Sequence, residues 1–260
     1  MINSIMGSSL VLHAVSGIPM VEPGDDLAEL IIVALAASEQ SLQDGDVLVL
    51  AQKIVSKAEG RYAYLNDIEP SVQARELAEQ CDKDPRHMQV LLNESREVIR
   101  QRPGVVIVEH VLGYVHANAG IDRSNISSDD DNPRLLLLPE SPDRSAAQLR
   151  DVLQMRLGVA VNIVINDSAG RAWRNGTLGF AIGTAGFEAL ENRVGEKDLY
   201  GRPLEITEVA VADELAAAAS FVMGQGDEAL PLVLIRGAKL RPSANGSGAL
   251  IRDREKDMFR

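Results

Sequence analysis

Apolar residues along the chain follow two spacings, one typical of helices and one typical of buried strands. Behind Asp25 and Asp26, apolar positions recur three and four residues apart, which predicts a capped helix ending near Ser38. Its apolar face consists of Leu27, Leu30, Ile31, Ala34 and Leu35. Continuous apolar runs at 47–51, 159–165 and 232–235 instead predict buried strands.

Turn and cap signals add further elements to the first half of the chain. Pro70-Ser71 and Asp84-Pro85 each place a capping side chain beside a proline, which is typical of a helix start. The two helices carry Leu77, Met88, Leu91 and Leu92. The apolar stretches 98–99 and 105–108 flank Pro103-Gly104, so they predict an antiparallel hairpin.

The second half of the chain predicts strands that alternate only in part with helices. A strand is expected at 135–138, and a helix from Ser141 to Leu157 should end at Gly158. An Ala-rich helix is expected at 207–223, and the Gly- and Ser-containing stretch after Leu240 predicts a flexible tail. We therefore predict an α+β (mixed α/β) fold, with mixed β-sheets and flanking helices.

Composition and charge exclude several classes of partner. The 260 residues are 45% hydrophobic, enough for a sizeable core in one or two compact units. A net charge of −12 argues against a nucleic-acid or anionic-membrane partner. A single cysteine, Cys81, cannot form an internal disulfide, and we expect a structural role for it. With neither a secretion signal nor a membrane-length apolar run, we expect a cytoplasmic protein.

Two acidic loops, 116–125 and 164–176, contain the candidate chemistry. Each places one aspartate, Asp122 or Asp167, in a turn rich in glycine and asparagine. Asp167 follows a predicted strand, so it should lie where a sheet ends and a loop begins. Carboxylates beside the Ser168 hydroxyl suit magnesium or manganese, and Arg171 and Arg174 can clamp an anion. The loops predict a metal–phosphate site, although aspartates also form such turns by bonding their own backbone.

Other candidate groups have competing structural interpretations. The chain has no Gly-x-x-x-x-Gly-Lys-Ser/Thr phosphate loop, and Gly224 to Ala229 matches a dinucleotide pattern but follows a helix, so we reject a Rossmann fold. Histidines near strands are more often hydrogen-bonded structural groups than bases, so we expect a structural role for His116. Trp173 is expected to be a packing anchor, although its flanking arginines leave ligand stacking open.

Several ordered segments together resemble the F420-0:gamma-glutamyl ligase family, from about Gly17 to Gly237. Beyond the two acidic loops, the resemblance rests on Gly17-Ile18-Pro19, Pro23 to Leu27, Gly45-Asp46-Val47, Lys53 to Arg61, Leu138 to Ala146, Asp198 to Gly201, Val211 to Ala216 and Met223-Gly224-Gln225. No single segment would suffice, because short motifs match by chance. The resemblance implies a two-lobed ligase fold. We expect a leader at 1–11, the ligase domain at 12–240 and a tail at 241–260.

The family resemblance also implies an activity and its partners. It implies that GTP drives the formation of an amide bond between L-glutamate and the deazaflavin precursor F420-0. The reaction would pass through an acyl phosphate and release GDP and phosphate. Further γ-glutamyl additions are left open. Magnesium or manganese is implied, with potassium as an additional candidate ion, and so is a homodimer. The alternatives are a glutamate ligase with a folate-like acceptor, a metal-dependent phosphohydrolase and a non-catalytic nucleotide-binding regulator.

Site residues are carried over from the family position by position. The implied metal ligands are Asp122, Asp167, Ser168 and Gln225. The implied nucleotide contacts are Ile18, Pro19, Met20, Val21, Gln52, Lys57, Asn125, Met223, Gly224, Gln225, Gly226 and Asp227. Lys57, Arg171 and Arg174 are our candidates for stabilising the transferred phosphoryl group. Where the family often has serine or threonine, this chain has Ala51-Gln52, which puts the role of Gln52 in doubt. Met20 and Val21 otherwise read as core residues.

Overall fold

The computed structural model of the protein describes residues 9–259. The helices are α1 (Leu27–Ala37), α2 (Gln52–Ala58), α3 (Val72–Cys81), α4 (Pro85–Asn93), α5 (Pro142–Leu157) and α6 (Val211–Met223). The strands are β1 (Val11–Val15), β2 (Val47–Ala51), β3 (Tyr62–Tyr64), β4 (Ser95–Arg102), β5 (Val105–His110), β6 (Val115–Ala117), β7 (Arg134–Leu136), β8 (Asn162–Arg171), β9 (Arg174–Phe187), β10 (Glu191–Asn192), β11 (Glu208–Val209), β12 (Leu232–Arg236) and β13 (Pro242–Ser243). Short 3-10 turns lie at Leu65–Asp67, Asn118–Gly120, Ser247–Leu250 and Arg254–Lys256.

A six-stranded mixed sheet forms the centre of the molecule, in the order β1-β12-β2-β8-β9-β13. Strands β2 and β8 are parallel, and the other neighbouring pairs are antiparallel. The predicted mixed sheet is confirmed. Because β12 runs against both β1 and β2, the carboxyl ends of β1, β2 and the paired part of β8 lie at the same edge as the start of β12.

The two faces of this sheet bury different helices because strand side chains alternate. Leu48, Leu50 and Ile163 pack in one hydrophobic cluster with residues of α1 and α5. Val49 and Val164 point the other way, into a cluster with α6. The central sheet is therefore covered by α1 and α5 on one face and by α6 on the other.

A third hydrophobic cluster joins α3 and α4 to the three-stranded sheet β4-β5-β6. Ser71 caps α3 by accepting a hydrogen bond from the Ala74 N–H, and Asp84 caps α4 ahead of Pro85. These caps and the β4–β5 hairpin confirm the predictions, and Cys81 is buried. Among the helices in residues 9–259, none combines the length and apolarity needed to cross a bilayer.

Several predicted element boundaries are wrong. The strand expected at 159–165 is β8, which begins at Asn162 and continues to Arg171. Strand β7 ends at Leu136, two residues earlier than expected. Helix α6 begins at Val211 rather than at residue 207, because Glu208–Val209 pairs with Glu191–Asn192. The partition into leader, two-lobed ligase domain and tail stays a prediction, and most of the leader lies outside the described residues.

The stretch after Leu240 differs from the predicted flexible tail, because it covers the outer edge of β9. Pro242 pairs with Phe187 of that strand. The Ser247 side chain is buried, and its Oγ donates to the Ile182 carbonyl at 3.0 Å. Asp143 accepts hydrogen bonds from the backbone N–H groups of Thr184 and Ser247. An edge strand leaves backbone groups without partners, and here the tail and Asp143 supply them.

Candidate functional site

A cavity of about 390 Å³ opens at the edge where β1, β2 and the paired part of β8 end. The chain after β1, the start of α2, the middle of β8 and the loop before β12 all contribute to its wall. Its position follows from the topology, since loops beyond the carboxyl ends of neighbouring strands converge. Every residue that the family resemblance assigns to the nucleotide lines this cavity: Ile18, Pro19, Met20, Val21, Gln52, Lys57, Asn125, Met223, Gly224, Gln225, Gly226 and Asp227.

Asp167 lies inside strand β8, opposite Phe180 of β9, and not in a loop as predicted. The second acidic loop is in fact part of the β8–β9 hairpin. The residues around Asp167 do not themselves indicate that β9 pairs with β8. Pairing with β2 nevertheless stops at Asn166, so Asp167 is the first residue beyond the parallel ladder. Its side chain is 8% exposed and lines the cavity with Ser168. The Asp167 Oδ1 accepts the Ser168 N–H at 2.8 Å.

His116 lies beneath Asp167, against the Phe180 ring. Its Nε2 is 3.2 Å from Asp167 Oδ2, within ion-pair distance, although the two atoms are not aligned as a hydrogen bond. Its Nδ1 lies 2.9 Å from the Ala117 carbonyl oxygen. Burial by itself lowers the pKa of His116, but the Asp167 carboxylate and the Ala117 carbonyl raise that pKa above its ordinary value. The predicted structural histidine therefore supports Asp167.

Asp122 is held beside the same cavity by backbone and side-chain bonds. It pairs with Leu136 in an isolated β-bridge. Its Oδ2 accepts a hydrogen bond from Gln52 Nε2 at 2.6 Å and lies 2.7 Å from Lys53 Nζ. Burial and the charge of Asp167 raise the pKa of Asp122, against the effect of the Lys53 ammonium. Gln52 and Lys53 both line the cavity, so they connect Asp122 to its wall.

Lys57 contributes a cation to the cavity without an ion pair inside residues 9–259. It lies one helical turn beyond Lys53 on α2, and it is 9% exposed. Burial lowers the pKa of Lys57, the nearby Glu22 charge opposes this, and the Lys53 and Arg134 charges lower the pKa further. A buried ammonium without a counterion is a suitable partner for an anionic ligand.

Four predicted residues differ from expectation. Arg171 and Arg174 lie exposed at the far end of the β8–β9 hairpin, and neither lines the cavity. Four residues of strand separate Asp167 from Arg171, a distance of about 13 Å. Trp173 is 86% exposed, so the packing-anchor prediction is wrong. Met20 is 79% exposed at the cavity mouth rather than in the core, whereas Val21 is buried as predicted.

Several cavity residues were missed or left without a role, among them Asn166, Ser220 and Lys53. Asn166 and Ser220 line the cavity from β8 and α6, and both are buried. From the sequence, Lys53 had only a place in the segment Lys53 to Arg61, and its contact with Asp122 was not predicted. The four-residue spacing of Lys53 and Lys57 was the available signal, because it puts both on one helix face. Ser220 gave no comparable signal within an alanine-rich helix.

The predicted metal ligands fit a cation that arrives with phosphate. Asp167 Oδ2 is buried and has no aligned hydrogen bond, although His116 Nε2 lies 3.2 Å from it. Gln225 donates its Nε2 to Ser220, and within residues 9–259 its Oε1 accepts no hydrogen bond. No group of three or more His, Cys, Asp and Glu side chains arranged for a metal occurs in the described part of the chain. Magnesium is commonly held by one or two carboxylates together with substrate phosphates, and the present residues match that pattern.

Comparison with known proteins identifies the family. Residues 17–237 match the family described as F420-0:Gamma-glutamyl ligase. The chain is 48% identical to the coenzyme F420:L-glutamate ligase of Methanothermobacter thermautotrophicus, over 98% of this chain and 100% of that protein. The ligases of the same name from Methanopyrus kandleri and Haloarcula marismortui are 46% and 43% identical, over 92% and 96% of this chain and 93% and 95% of those proteins. The chain belongs to the F420-0:gamma-glutamyl ligase family.

Proposed function

We propose that the protein is a GTP-dependent ligase that joins L-glutamate to F420-0 by an amide bond. The observation that carries the proposal is the single cavity, which gathers every residue implied to contact the nucleotide beside the carboxylates Asp122 and Asp167. The relatives named as coenzyme F420:L-glutamate ligases support the acceptor and the amino acid. GTP, the divalent metal and further γ-glutamyl additions belong to the proposal, as does potassium.

The proposed reaction has two displacement steps. The terminal carboxylate of F420-0 attacks the γ-phosphorus of GTP, so that an acyl–oxygen–phosphorus bond forms as the bond to GDP breaks. The free amine of glutamate then attacks the acyl carbon, the amide bond forms, phosphate leaves and the amine loses a proton. Neither step needs a covalent protein nucleophile, so positioning and charge stabilisation supply the catalysis.

The residues of the cavity suit these steps. Lys57 would hold the phosphates, because its ammonium is buried and forms no ion pair with any of the residues that the structure describes. Asp122, Asp167, Ser168 and Gln225 would hold magnesium or manganese, which when bound screens the negative charge of the triphosphate. Ile18, Leu230 and Pro231 give part of the wall an apolar surface that keeps water away from the acyl phosphate.

Arg171 and Arg174 do not reach the cavity of their own subunit, so a role for them in transfer would require a second copy of the chain.

We propose a homodimer on a separate observation. Large apolar side chains are exposed on the segment that joins β10 to β11 and on α6, namely Val194, Leu199, Tyr200, Ile206 and Phe221. Four of these five side chains lie in the one segment 193–207, and large exposed apolar and aromatic side chains of this kind are enriched in protein–protein contacts.

One incubation tests the activity. Purified protein is mixed with GTP, L-glutamate, F420-0 and magnesium, and the products are analysed by mass spectrometry and nucleotide chromatography. Glutamyl adducts with GDP release are expected. GDP without adducts would support a phosphohydrolase, adducts only on a folate-like compound would support another acceptor, and no turnover with retained nucleotide binding would support a regulator. Each of these results refutes the proposal.

A matched pair of variants ties the activity to the site. Asp167→Ala should abolish metal-dependent turnover while circular dichroism shows an unchanged fold. Asp130→Ala removes an equal charge from an exposed loop and should keep full activity. Normal turnover by Asp167→Ala would remove this carboxylate from the proposed machinery.

A further inference from the structure

Asp122 receives two donors on one carboxylate oxygen. Gln52 Nε2 lies 2.6 Å from Asp122 Oδ2, and Lys53 Nζ lies 2.7 Å from the same atom. Both donors begin helix α2, directly after strand β2. In the described part of the chain no side-chain donor is bonded to Asp122 Oδ1. The protein therefore fixes one oxygen and leaves the other available.

The amide of Gln52 is itself oriented by a second bond. Ser56 Oγ donates to Gln52 Oε1 at 2.8 Å. Ser56 is one helical turn further along α2, and Gln52 is only 1% exposed. Because Oε1 accepts from Ser56, the amide must present its NH₂ group to the carboxylate. Ser56, Gln52 and Asp122 form a directed chain of hydrogen bonds.

We infer that Gln52 is a positioning residue, which orients Asp122 toward a divalent cation and does not itself recognise the nucleotide through its side chain. This inference rests on the proposed function, since that function supplies the cation. Each end of the Gln52 amide already makes one bond within the protein, and with only 1% of Gln52 exposed its second N–H has little access to a ligand. Loss of a partner that orients a ligating carboxylate typically costs about 10- to 100-fold in metal affinity.

Lys53 does not replace Gln52 in this role. Its ammonium is flexible and about a quarter of its side chain is exposed, so it neutralises charge without fixing the plane of the carboxylate. Without Gln52, Asp122 could rotate toward Lys53 and present its oxygens differently to the cavity. The consequence is a loss of cation affinity rather than a loss of nucleotide contacts.

The test compares Gln52→Met with Ser56→Ala in the full-length protein. Methionine keeps the length of the side chain but has no donor, whereas Ser56→Ala leaves the Gln52 donor in place and removes only its orientation. Manganese binding is measured by electron paramagnetic resonance of the free ion, in the presence and absence of GTP. Gln52→Met should raise the manganese Kd about 10- to 100-fold, and Ser56→Ala should raise it less.

Kinetics separate this role from a nucleotide contact. At saturating manganese, Gln52→Met should leave the KM for GTP unchanged. If Gln52→Met binds manganese with the same Kd as the wild-type protein, the inference is wrong, whether or not the KM for GTP rises. The inference is also wrong if the wild-type protein binds no manganese. If Gln52→Met fails to fold by urea unfolding, Ser56→Ala decides alone. Manganese binding without any ligase product would refute the proposed function but leave the positioning role standing.

Discussion

Gly179 lets helix α6 approach strand β9 closely, and replacing it with alanine should destabilise the protein. A Cβ at this position would lie 2.5 Å from Ala216 O, Asn166 Oδ1 and Ser220 Cβ. Ordinary van der Waals contact begins at 3.4 Å, so the helix and strand must separate by about 0.9 Å. Ala216 O is a backbone atom and Ser220 Cβ is bonded directly to the backbone, so of the three only Asn166 Oδ1 can move aside by a side-chain rotation. Overpacking of this kind costs about 1–3 kcal/mol.

Gly170→Ala is the matched control for Gly179→Ala. Gly170 is in the facing strand of the same hairpin, its φ is not positive, and a Cβ there would meet no atom within 4 Å. The control should be neutral or stabilising by about 0.4–1 kcal/mol, because alanine restricts the unfolded chain. Urea unfolding and thermal melting measure both variants, with a melting shift of about 2–4 °C per kcal/mol expected. Equal urea midpoints for Gly179→Ala and Gly170→Ala would refute the close-packing argument. Because Asn166 and Ser220 line the cavity, Gly179→Ala should also weaken nucleotide binding.

Three further substitutions test the charges and the tail. Lys57→Met should raise the free energy of unfolding at neutral pH, because burial lowers the pKa of this lysine in the folded protein. The gain in stability should shrink as the pH rises from that lowered pKa toward 10.5, the value in the unfolded chain. A gain in stability that does not depend on pH would contradict this cause. Arg236→Leu should lower the free energy of unfolding in urea by about 3–5 kcal/mol, because the buried Asp46 carboxylate loses the guanidinium that contacts it at 2.7 Å. An unchanged free energy of unfolding would contradict the burial argument. Asp143→Ala should cost about 1–3 kcal/mol and accelerate hydrogen exchange at the Ser247 amide, whereas unchanged exchange there would show that Asp143 does not anchor the tail.

Local rules predicted the starts of α1, α3 and α4 because each of these caps joins residues no more than three positions apart. Asp26 accepts the Glu29 N–H, as its sequence position indicated, and Ser71 and Asp84 behave alike. The β8–β9 hairpin was misread as a loop because its glycines and asparagine resemble a turn, while the partner residue Phe180 lies 13 positions beyond Asp167. Strand pairing at that separation leaves little trace in local composition.

Sequence patterns and the resemblance indicated most of the residues that line the cavity, but not Asn166, Ser220 or the contacts between side chains. Asp122 and Asp167 were singled out from their loops, and the nucleotide contacts came with the family resemblance. The bond between Gln52 and Asp122 spans 70 positions, so no motif could reveal it. The same limit applies to the tail, where Ser247 reaches the Ile182 carbonyl across 65 positions. Such contacts depend on the assembled sheet, and the sequence patterns predict only that a sheet forms.

The buried cation at Lys57 links stability to binding in this acidic chain. A net charge of −12 repels an anionic nucleotide at long range, so attraction has to come from cations within the cavity. Lys57 is destabilising when the cavity holds no anion, because burial lowers its pKa and no carboxylate pairs with it among residues 9–259. A phosphate beside it would favour the charged ammonium and raise that pKa again. Nucleotide binding should therefore stabilise the wild-type protein more than it stabilises Lys57→Met, and the difference measures what this one ammonium contributes to affinity.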